Sequence, residues 1–313
     1  MVPAQKIHSL IVGKRYIHLT IPKITVVIPV FNAEKTLDRA LNSVAAQTYP
    51  DFDVVVVDDG STDKTVDLVS NSRIGNLTFV KHAQNRGAAA ARNTGISAAR
   101  GRFIAFLDAD DAWKPNKLER QIAALERAGS NVVACATGYH LHKGDRDLTI
   151  ALNLTSEQFR KQILFGCTIS PGTTLLIDRR AFDGIGLFDE TFRRLEDWDW
   201  LLRFAERFEL EIISEPLADI YLAVQILSYE QRNLILDAIK RTREKHLHRF
   251  GGLARVQLRS SLLIERAAML YRSGKPIFAA MYVLAAIFVY PRRNAAFYRT
   301  LWRSVGDVIW SGG

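Results

Sequence analysis

The stretch Ile24–Val30, which reads ITVVIPV, is the strongest strand signal in the chain. Its β-branched residues follow one another without a charged interruption, a pattern typical of a strand buried on both faces of a sheet. The next segment, Glu34–Gln47, repeats apolar residues at the helical spacing of Leu37, Leu41 and Val44. A buried strand followed at once by an amphipathic helix predicts the first βα unit of a parallel sheet.

The same alternation continues along the chain to about residue 136. Because βαβ connections build parallel sheets, the pattern predicts an α/β fold with a Rossmann-like, mostly parallel sheet. Residues 139–170 lack a clear periodicity, whereas a strand is expected over Thr173–Ile177 and a helix over Glu196–Phe208. The other predicted strands are Phe52–Val57, Leu77–Lys81, Phe103–Leu107 and Val132–Ala136, and the other predicted helices are Lys64–Ser70, Ala88–Ala99 and Asn116–Ala128.

Composition excludes several classes of protein. The 313 residues are 48% hydrophobic and 24% charged, which excludes disordered and collagen-like chains. The two cysteines, Cys135 and Cys167, are too few for a disulfide framework and fit a reducing compartment. The net charge of +9 is uneven, because residues 231–313 hold 15 basic and 4 acidic residues and the first 230 are nearly neutral. This asymmetry predicts an anionic partner for the C-terminal region.

Polar clusters follow the predicted strands. Asp108-Ala109-Asp110-Asp111 comes directly after an apolar strand, and carboxylates gathered at a strand end favour a divalent cation bound with a diphosphate. A solvated acidic turn is the alternative interpretation. The turn Asp58-Asp59-Gly60-Ser61 offers carboxylates to a base or a ribose, or it only caps the next helix. Ligands of doubly wound sheets bind at the carboxyl ends of strands, which favours the functional interpretation.

A third acidic segment, Glu196-Asp197-Trp198-Asp199-Trp200, opens a predicted helix. Acidic residues at a helix N-terminus interact favourably with the helix dipole, so capping is the simpler interpretation. The functional interpretation is a general base flanked by aromatic rings that stack on a sugar. The chain also lacks the GxGxxG, GxxxxGK[ST], GxSxG and HExxH motifs, which argues against dehydrogenases, P-loop nucleotidases, serine hydrolases and zinc peptidases.

Taken in order, these segments resemble the family 2 glycosyltransferases, which have the GT-A fold. The resemblance covers roughly residues 23–225 and rests on the combination of motifs, since each motif alone is weak. The segments that carry it are Val27–Glu34 (VIPVFNAE), Gln47–Phe52 (QTYPDF), Val57–Asp63 (VDDGSTD), Asn85–Gly95 (NRGAAAARNTG), Asp108–Asp111 (DADD), Gly186–Glu190 (GLFDE) and Glu196–Asp199 (EDWD).

The resemblance implies a role for each matching residue. The residues expected to line the nucleotide pocket are Pro29, Phe31, Asn32 and Glu34. Asp59 would contact the base with support from Asp58, and Asn85 and Arg92 would border the nucleotide or the donor sugar. Asp108 would hold the ribose, and Asp110 would hold Mg²⁺ or Mn²⁺ against the diphosphate. Asp197 would be the catalytic base, with Glu196 and Trp198 on the acceptor side.

The implied reaction transfers a sugar, with inversion, from a nucleoside-diphosphate donor to an acceptor hydroxyl. The acceptor would be a saccharide or a lipid-linked saccharide, and the setting would be the synthesis of a bacterial surface polysaccharide. A nucleotidyltransferase that makes sugar nucleotides is one alternative, although its Gly-rich, basic loop is missing after the first strand. A catalytically inactive paralogue that only binds carbohydrate or lipid is another. The donor base, the sugar and the linkage are not readable from the sequence.

The chain is expected to divide into three parts: an irregular extension over residues 1–22, the catalytic domain over 23–225, and a basic helical region over 226–313. Helices are predicted in the last part at 229–249, 253–273, 276–290 and 294–309. This region either caps the fold or binds an anionic membrane surface, and nucleic acid is not expected as a partner. A cytoplasmic protein, peripheral at the inner face of the membrane, is the predicted location. The pairs His140/His142 and His246/His248 are interpreted as ordinary polar residues rather than metal ligands.

Overall fold

A computed structural model describes residues 8–12, 15–19, 23–144, 146–167, 169–222 and 226–291 of the chain. The strands, in chain order, are β1 (His8–Val12), β2 (Arg15–Leu19), β3 (Ile24–Val30), β4 (Phe52–Asp58), β5 (Leu77–Lys81), β6 (Phe103–Phe106), β7 (Ala112–Trp113), β8 (Val132–Lys143), β9 (Arg146–Ile150), β10 (Leu176–Asp178) and β11 (Glu209–Leu222). The helices are α1 (Leu37–Ala45), α2 (Thr65–Ser70), α3 (Ala88–Ala98), α4 (Lys117–Arg127), α5 (Ser156–Gln162), α6 (Pro171–Thr174), α7 (Arg180–Ile185), α8 (Glu196–Arg207), α9 (Tyr229–His246), α10 (Gly252–Tyr271) and α11 (Pro276–Val289), with a 3-10 turn at Ile163–Phe165.

A nine-stranded sheet forms the centre of the fold, in the order β5-β4-β3-β6-β10-β8-β11-β7, with β9 paired to β8. The first four strands in that order are parallel to one another, as the βα alternation predicted. Beyond β6 the sheet becomes mixed, because β10 lies antiparallel between β6 and β8. The α/β class is confirmed, and the parallel half is the part that repeats βα units.

The core occupies both faces of this sheet. Every residue of β3 except Pro29 is buried, which is the reason for its uninterrupted apolar run. Helix α1 turns Leu37, Leu41 and Val44 toward the sheet, as the helical spacing predicted. Since parallel strands end at one edge, this packing brings the loops after β3, β4 and β6 together.

Several sequence-based expectations need correction. The predicted strand over Thr173–Ile177 is the short helix α6 followed by β10, because a Pro at residue 171 starts a helical turn. The longest strand, β11, was not predicted at all, since its sequence carries charged residues and a proline. The extension over residues 1–22 was expected to be irregular, yet β1 and β2 pair as an antiparallel hairpin.

The C-terminal region is helical, as predicted, over α9, α10 and α11. Leu258 and Leu262 of α10 pack into the same apolar cluster as Trp198 of α8. The boundary predicted near residue 225 stays a prediction, and the helix predicted at 294–309 lies outside the described residues. Among the residues that the structure describes, no helix is long and apolar enough to cross a membrane.

Candidate active site

The loops after β3 and β4 are hydrogen-bonded to each other at the carboxyl edge of the sheet. The backbone N–H of Asn32 donates to Ser61 Oγ at 2.9 Å, and Asn32 Oδ1 accepts from the N–H of Thr62 at 2.9 Å. Asn32 adopts a left-handed backbone conformation (φ 49°), which asparagine tolerates better than most residues. The loops meet again where the N–H of Lys64 donates to Glu34 Oε2 at 3.2 Å. Two of the residues predicted for the nucleotide pocket therefore hold this edge together.

Asp59 is a buried carboxylate that organises the next loop. Its oxygens accept hydrogen bonds from the backbone N–H groups of Arg86 at 2.8 Å and Gly87 at 2.6 Å. The Nδ1 atom of His82 lies 2.7 Å from Asp59 Oδ1. Beside it, Asp58 accepts from Ser61 N–H through Oδ1, whereas its buried Oδ2 has no hydrogen-bond partner among the described residues. The contact of Asp59 with a base stays a prediction, and its structural role is to hold the turn at residues 86–87.

The other predicted pocket residues lie around this edge. Phe31 exposes about half of its side chain (48%), which leaves an aromatic face open to a ligand. Pro29 lies near the end of β3 and is partly buried. Asn85 accepts a hydrogen bond from Arg193 Nη2 at 2.5 Å, so a residue from the segment before α8 reaches the loop after β5.

Arg92 joins two acidic segments that are far apart in the sequence. Its Nη2 donates to Asp108 Oδ1 and its Nη1 donates to Glu196 Oε1, both at 2.7 Å. The guanidinium is buried on α3, and its Nε has no hydrogen-bond partner among the described residues. Although burial disfavours the charged form, the neighbouring carboxylates of Asp108 and Glu196 raise the pKa of Arg92 above its usual value. The predicted donor side and acceptor side therefore meet at one cation.

Asp197 follows Glu196 in the first turn of α8. Burial and the adjacent Glu196 carboxylate raise the pKa of Asp197 to about 6, against the opposing charge of Arg92. Its Oδ1 accepts a hydrogen bond from the N–H of Trp198 at 2.7 Å. The preceding residue, Leu195, has a left-handed backbone (φ 61°) that is costly for a branched side chain. A carboxylate with a pKa near neutrality is suited to accept a proton.

The carboxylates after β6 face different surroundings. Asp110 is exposed, whereas Asp111 is buried and accepts hydrogen bonds from Thr173 Oγ1 and from the N–H of Tyr221. Burial and the charges of Asp108 and Asp110 raise the pKa of Asp111 to about 8. Gly172 of α6 packs so closely on Asp108 that a Cβ there would lie 2.2 Å from Asp108 Oδ2. The backbone of α6 therefore holds Asp108 in place.

The carboxylates after β6 supply only some of the ligands that a hard divalent cation needs. No group of three or more His, Cys, Asp or Glu side chains able to hold a metal occurs in the described part of the chain. Asp108 and Asp110 supply carboxylate oxygens, and Mg²⁺ is commonly held by one or two carboxylates together with substrate phosphates. The negative charges of Asp108 and Asp110 contribute to the raised pKa of Asp111. A bound cation would reduce the repulsion among these three carboxylates. The residues fit a metal that binds with the diphosphate of a substrate.

The expectation that Trp198 stacks on a sugar at the acceptor side is wrong. Its indole is 1% exposed and donates from Nε1 to the carbonyl of Ile163 at 2.7 Å. Trp200 is buried as well and donates to the carbonyl of Gly186. Both rings pack into the main apolar core cluster. Only Glu196 and Asp197 of this segment face the site.

The structure adds residues that the sequence analysis missed. His82 pairs with Asp59, and a single histidine at a strand end gives no signal of that role.

Asp199 is buried, with His246 Nε2 at 2.7 Å and Lys245 Nζ at 2.8 Å, both from α9. Although burial opposes ionisation, hydrogen bonds from His246 and Lys245 lower the pKa of Asp199 to about 2. Helix α8 is thus tied to the C-terminal helix α9.

The two histidine pairs do not form metal sites in the described structure. His246 is fully buried against Asp199, whereas His248 Nδ1 lies 3.1 Å from the carbonyl of Glu244. His140 contacts Thr149, and His142 lies between Asp147 and Asp219. The histidines of each pair thus have separate polar partners.

With this geometry in place, comparison with known proteins identifies the family. Residues 25–186 match the family described as Glycosyl transferase family 2, so the chain belongs to that family. An uncharacterized glycosyltransferase of Rickettsia prowazekii is 30% identical over 190 residues, which is 58% of either protein. The amylovoran biosynthesis glycosyltransferase AmsB of Erwinia amylovora is 29% identical over 232 residues, covering 69% of this chain and 77% of AmsB. The chain thus spans a little over half the length of the Rickettsia protein.

Solved structures share the fold. TarS of S. aureus (residues 1–349, in complex with UDP-GlcNAc) has a TM-score of 0.58 at 20% identity, covering 86% of this chain and 91% of that one. The mannosyltransferase PcManGT from Pyrobaculum calidifontis, in complex with GDP-Man and Mn²⁺, has a TM-score of 0.54 at 18% identity, covering 94% of this chain and 89% of that one. The expected GT-A-like α/β fold with C-terminal helices is confirmed.

Proposed function

We propose that this protein is a metal-dependent, inverting glycosyltransferase that moves a sugar from a nucleoside-diphosphate donor to an acceptor hydroxyl. The observation that carries the proposal is the shared guanidinium of Arg92, which connects Asp108 of the DxD segment with Glu196 beside Asp197. A donor held at Asp108 and Asp110 would therefore lie next to a carboxylate able to accept a proton. Family membership and the nucleotide sugars bound by TarS and PcManGT support the same reaction.

The residues of the β3, β4 and β5 loops hold the donor in this proposal. Phe31 offers an exposed ring to the base, and the Asn32 contacts keep the loops after β3 and β4 in register. Asp59 fixes the turn that presents Asn85. Asp108 accepts from the ribose through the oxygen that Arg92 leaves open, and Asp110 faces the diphosphate.

Asp197 acts as the general base. A pKa of about 6 leaves its carboxylate ionised at neutral pH yet basic enough to take the proton of an acceptor hydroxyl as the new bond forms. Because one carboxylate removes the proton and no covalent nucleophile is assigned, displacement occurs in one step and inverts the anomeric centre. Burial and the adjacent Glu196 carboxylate raise the pKa of Asp197, whereas the charge of Arg92 opposes that rise.

Asp110 is the residue that would hold Mg²⁺ or Mn²⁺ against the diphosphate, with Asp108 beside it on the ribose. When bound, the cation supplies Lewis-acid stabilisation of the charge that develops on the leaving diphosphate. The Mn²⁺ in the PcManGT complex supports this assignment by analogy of fold.

The test measures nucleotide release from a panel of UDP- and GDP-sugars, with and without saccharide acceptors, before and after treatment with a chelator. Release that depends on an acceptor and on added Mg²⁺ or Mn²⁺ is expected. Asp197→Asn and Asp110→Ala should each lower the rate by about 10²–10⁴-fold. Asp67→Asn, an exposed carboxylate on α2, is the matched control and should leave the rate unchanged. Near-wild-type transfer by folded Asp197→Asn would contradict the mechanism.

The same assay, extended to a nucleoside triphosphate with a sugar phosphate and to a measurement of donor binding, distinguishes the alternatives. A nucleotidyltransferase would release pyrophosphate from a nucleoside triphosphate and a sugar phosphate rather than a nucleoside diphosphate. An inactive paralogue would bind a donor without turnover in the presence of any acceptor.

The names of relatives suggest the biological setting. AmsB is named for amylovoran biosynthesis, and this supports a role in bacterial surface polysaccharide synthesis. The acceptor would be a saccharide or a lipid-linked saccharide, presented at the inner face of the membrane. Peripheral association of the basic C-terminal region with that membrane is part of the proposal.

A further inference from the structure

Helix α11 has an unusual distribution of side chains. Its fourteen residues, PIFAAMYVLAAIFV, contain no charged group. The small residues Ala279 and Ala286 are fully buried, and Ala286 packs in the cluster that includes Ile264 of α10. Two of the four alanines of the helix therefore face α10, and their small size lets the two helices lie close together.

Five large apolar residues of α11 point to solvent instead. They recur at helical spacing, so they share one side of the helix. We call this side the α11 face. Its members are Ile277 (76% exposed), Phe278 (57%), Met281 (60%), Leu284 (66%) and Phe288 (89%). A contiguous group of large exposed apolar side chains is uncommon on a soluble surface and marks a site of interaction.

The surroundings of the α11 face are basic. From Gly252 to Val289 the sequence has five basic residues and a single acidic residue, Glu265. Arg266 of α10 lies 4.8 Å from the centre of the Tyr282 ring, which places a cation at the border of α11. Lys275 is exposed at the start of the helix. An apolar face bordered by cations is complementary to an anionic lipid surface.

The length of α11 determines how it would meet a bilayer. Fourteen residues make a helix of about 21 Å, shorter than the hydrocarbon core of about 30 Å. The helix is therefore suited to lie in the plane of the interface with one face in the lipid. Its inner face is already occupied by α10, so only the exposed side chains would enter the lipid.

The basic surface continues toward the candidate active site. Partial burial and the neighbouring guanidinium of Arg194 lower the pKa of Arg272, which follows α10. Arg194 lies in the segment just before α8, whose first turn carries Asp197. Two like charges are thus close together at the end of α10, on the side of the molecule where α8 begins.

We propose that the α11 face and the cations Arg194, Arg266, Arg272 and Lys275 form a docking surface for an anionic phospholipid membrane. Docking there would bring the first turn of α8 near the lipid head groups, where a lipid-linked acceptor would be presented. The inference deepens the peripheral association proposed above. Lipid binding needs no donor and no turnover, so its failure and the failure of the glycosyltransferase proposal are distinguishable.

Sedimentation with vesicles tests the docking surface in the full chain. The probes are vesicles of phosphatidylglycerol mixed with phosphatidylcholine, and vesicles of phosphatidylcholine alone. Wild type should bind the anionic vesicles, and rising salt should weaken binding. The triple substitution Phe278→Ser, Leu284→Ser and Phe288→Ser should lower affinity by about 100-fold, because three large apolar side chains no longer enter the lipid.

Two matched variants complete the test. Phe79→Ser changes an exposed phenylalanine on β5 and should bind vesicles like wild type. Arg266→Glu with Lys275→Glu should reduce binding to anionic vesicles and remove its dependence on salt. Circular dichroism confirms folding, and nucleotide release with a soluble acceptor should be unchanged in the triple variant.

Three outcomes would overturn the proposal. The first is equal binding of the triple variant and wild type to anionic vesicles. The second is equal, salt-insensitive binding of wild type to both kinds of vesicle. The third is a wild-type dimer in light scattering that the triple variant converts to a monomer without a change in vesicle binding, which would assign the α11 face to a second copy of the chain.

Discussion

Asp108 and Glu196 accept hydrogen bonds from one guanidinium, that of Arg92, at 2.7 Å each. The first carboxylate follows β6 and the second opens α8, so a single buried side chain sets the distance between the proposed donor and base regions. Glu196 is almost fully buried, and Asp108 is about one-third exposed. Removal of the Arg92 guanidinium would leave both carboxylates without their strongest partner.

Arg92→Met should therefore be strongly destabilising. Loss of one member of a buried ionic group costs about 3–5 kcal/mol, and the partial exposure of Asp108 favours the lower end. Urea unfolding measures the change in the free energy of unfolding. Arg86→Met is the control, because Arg86 pairs with Glu190 at the surface and should cost at most about 1 kcal/mol. Equal losses in the two variants would show that Arg92 does not hold the site together.

The pH dependence of transfer should report Asp197. A general base works when deprotonated, so kcat should be constant above the pKa of about 6 and fall about ten-fold per pH unit below it. The raised pKa depends partly on Glu196. Glu196→Gln should shift the acid limb to lower pH, because it removes a negative charge beside Asp197. If the pH profile of kcat is the same in Glu196→Gln as in wild type, the titrating group is not Asp197.

Gly172→Ala should weaken donor binding without unfolding the protein. The new Cβ would lie 2.2 Å from Asp108 Oδ2, so the Asp108 carboxylate must leave its present position. We expect KM for the donor to rise about ten-fold, equivalent to about 1.4 kcal/mol. Gly129→Ala is the matched control, because nothing lies within 4 Å of the added methyl group. Unchanged donor binding in Gly172→Ala would mean that Asp108 does not contact the donor.

The burial of Lys117 predicts that the free energy of unfolding depends on pH. This lysine is fully buried, donates to Gln121 Oε1 at 2.8 Å, and has a pKa lowered by burial to about 7. Between about pH 7 and 10.5 the unfolded chain binds a proton that the folded chain lacks, so this residue makes stability rise with pH.

Urea unfolding between about pH 7.5 and 9 measures that effect against Lys117→Met. The wild type should gain up to about 1.4 kcal/mol per pH unit relative to the variant. Lys35→Met, which changes an exposed lysine, should follow the wild-type slope. Parallel curves for wild type and Lys117→Met would show that Lys117 stays protonated in the fold.

The sequence predicted the parallel half of the sheet because each strand there is buried on both faces and followed by an amphipathic helix. It failed for β11, whose charged residues and proline hide a strand that pairs with β8 over most of its length. The acidic segments Asp58–Asp59 and Asp108–Asp111 were found because carboxylates cluster there directly after strands. The aromatic role given to Trp198 was wrong, because adjacency in sequence does not show which way a helix turns each side chain.

The sequence by itself determined the α/β class, the order of the βα units and the residue types at the strand ends, since these follow from local periodicity and spacing. Only the tertiary structure decided which of those residues meet. Arg92 reaches Asp108 and Glu196, and His246 reaches Asp199, because α3, α8 and α9 pack together. Such contacts join segments far apart in the chain. Burial in the fold is the main cause of the raised pKa of Asp197, whereas hydrogen bonds from His246 and Lys245 lower the pKa of Asp199 despite its burial.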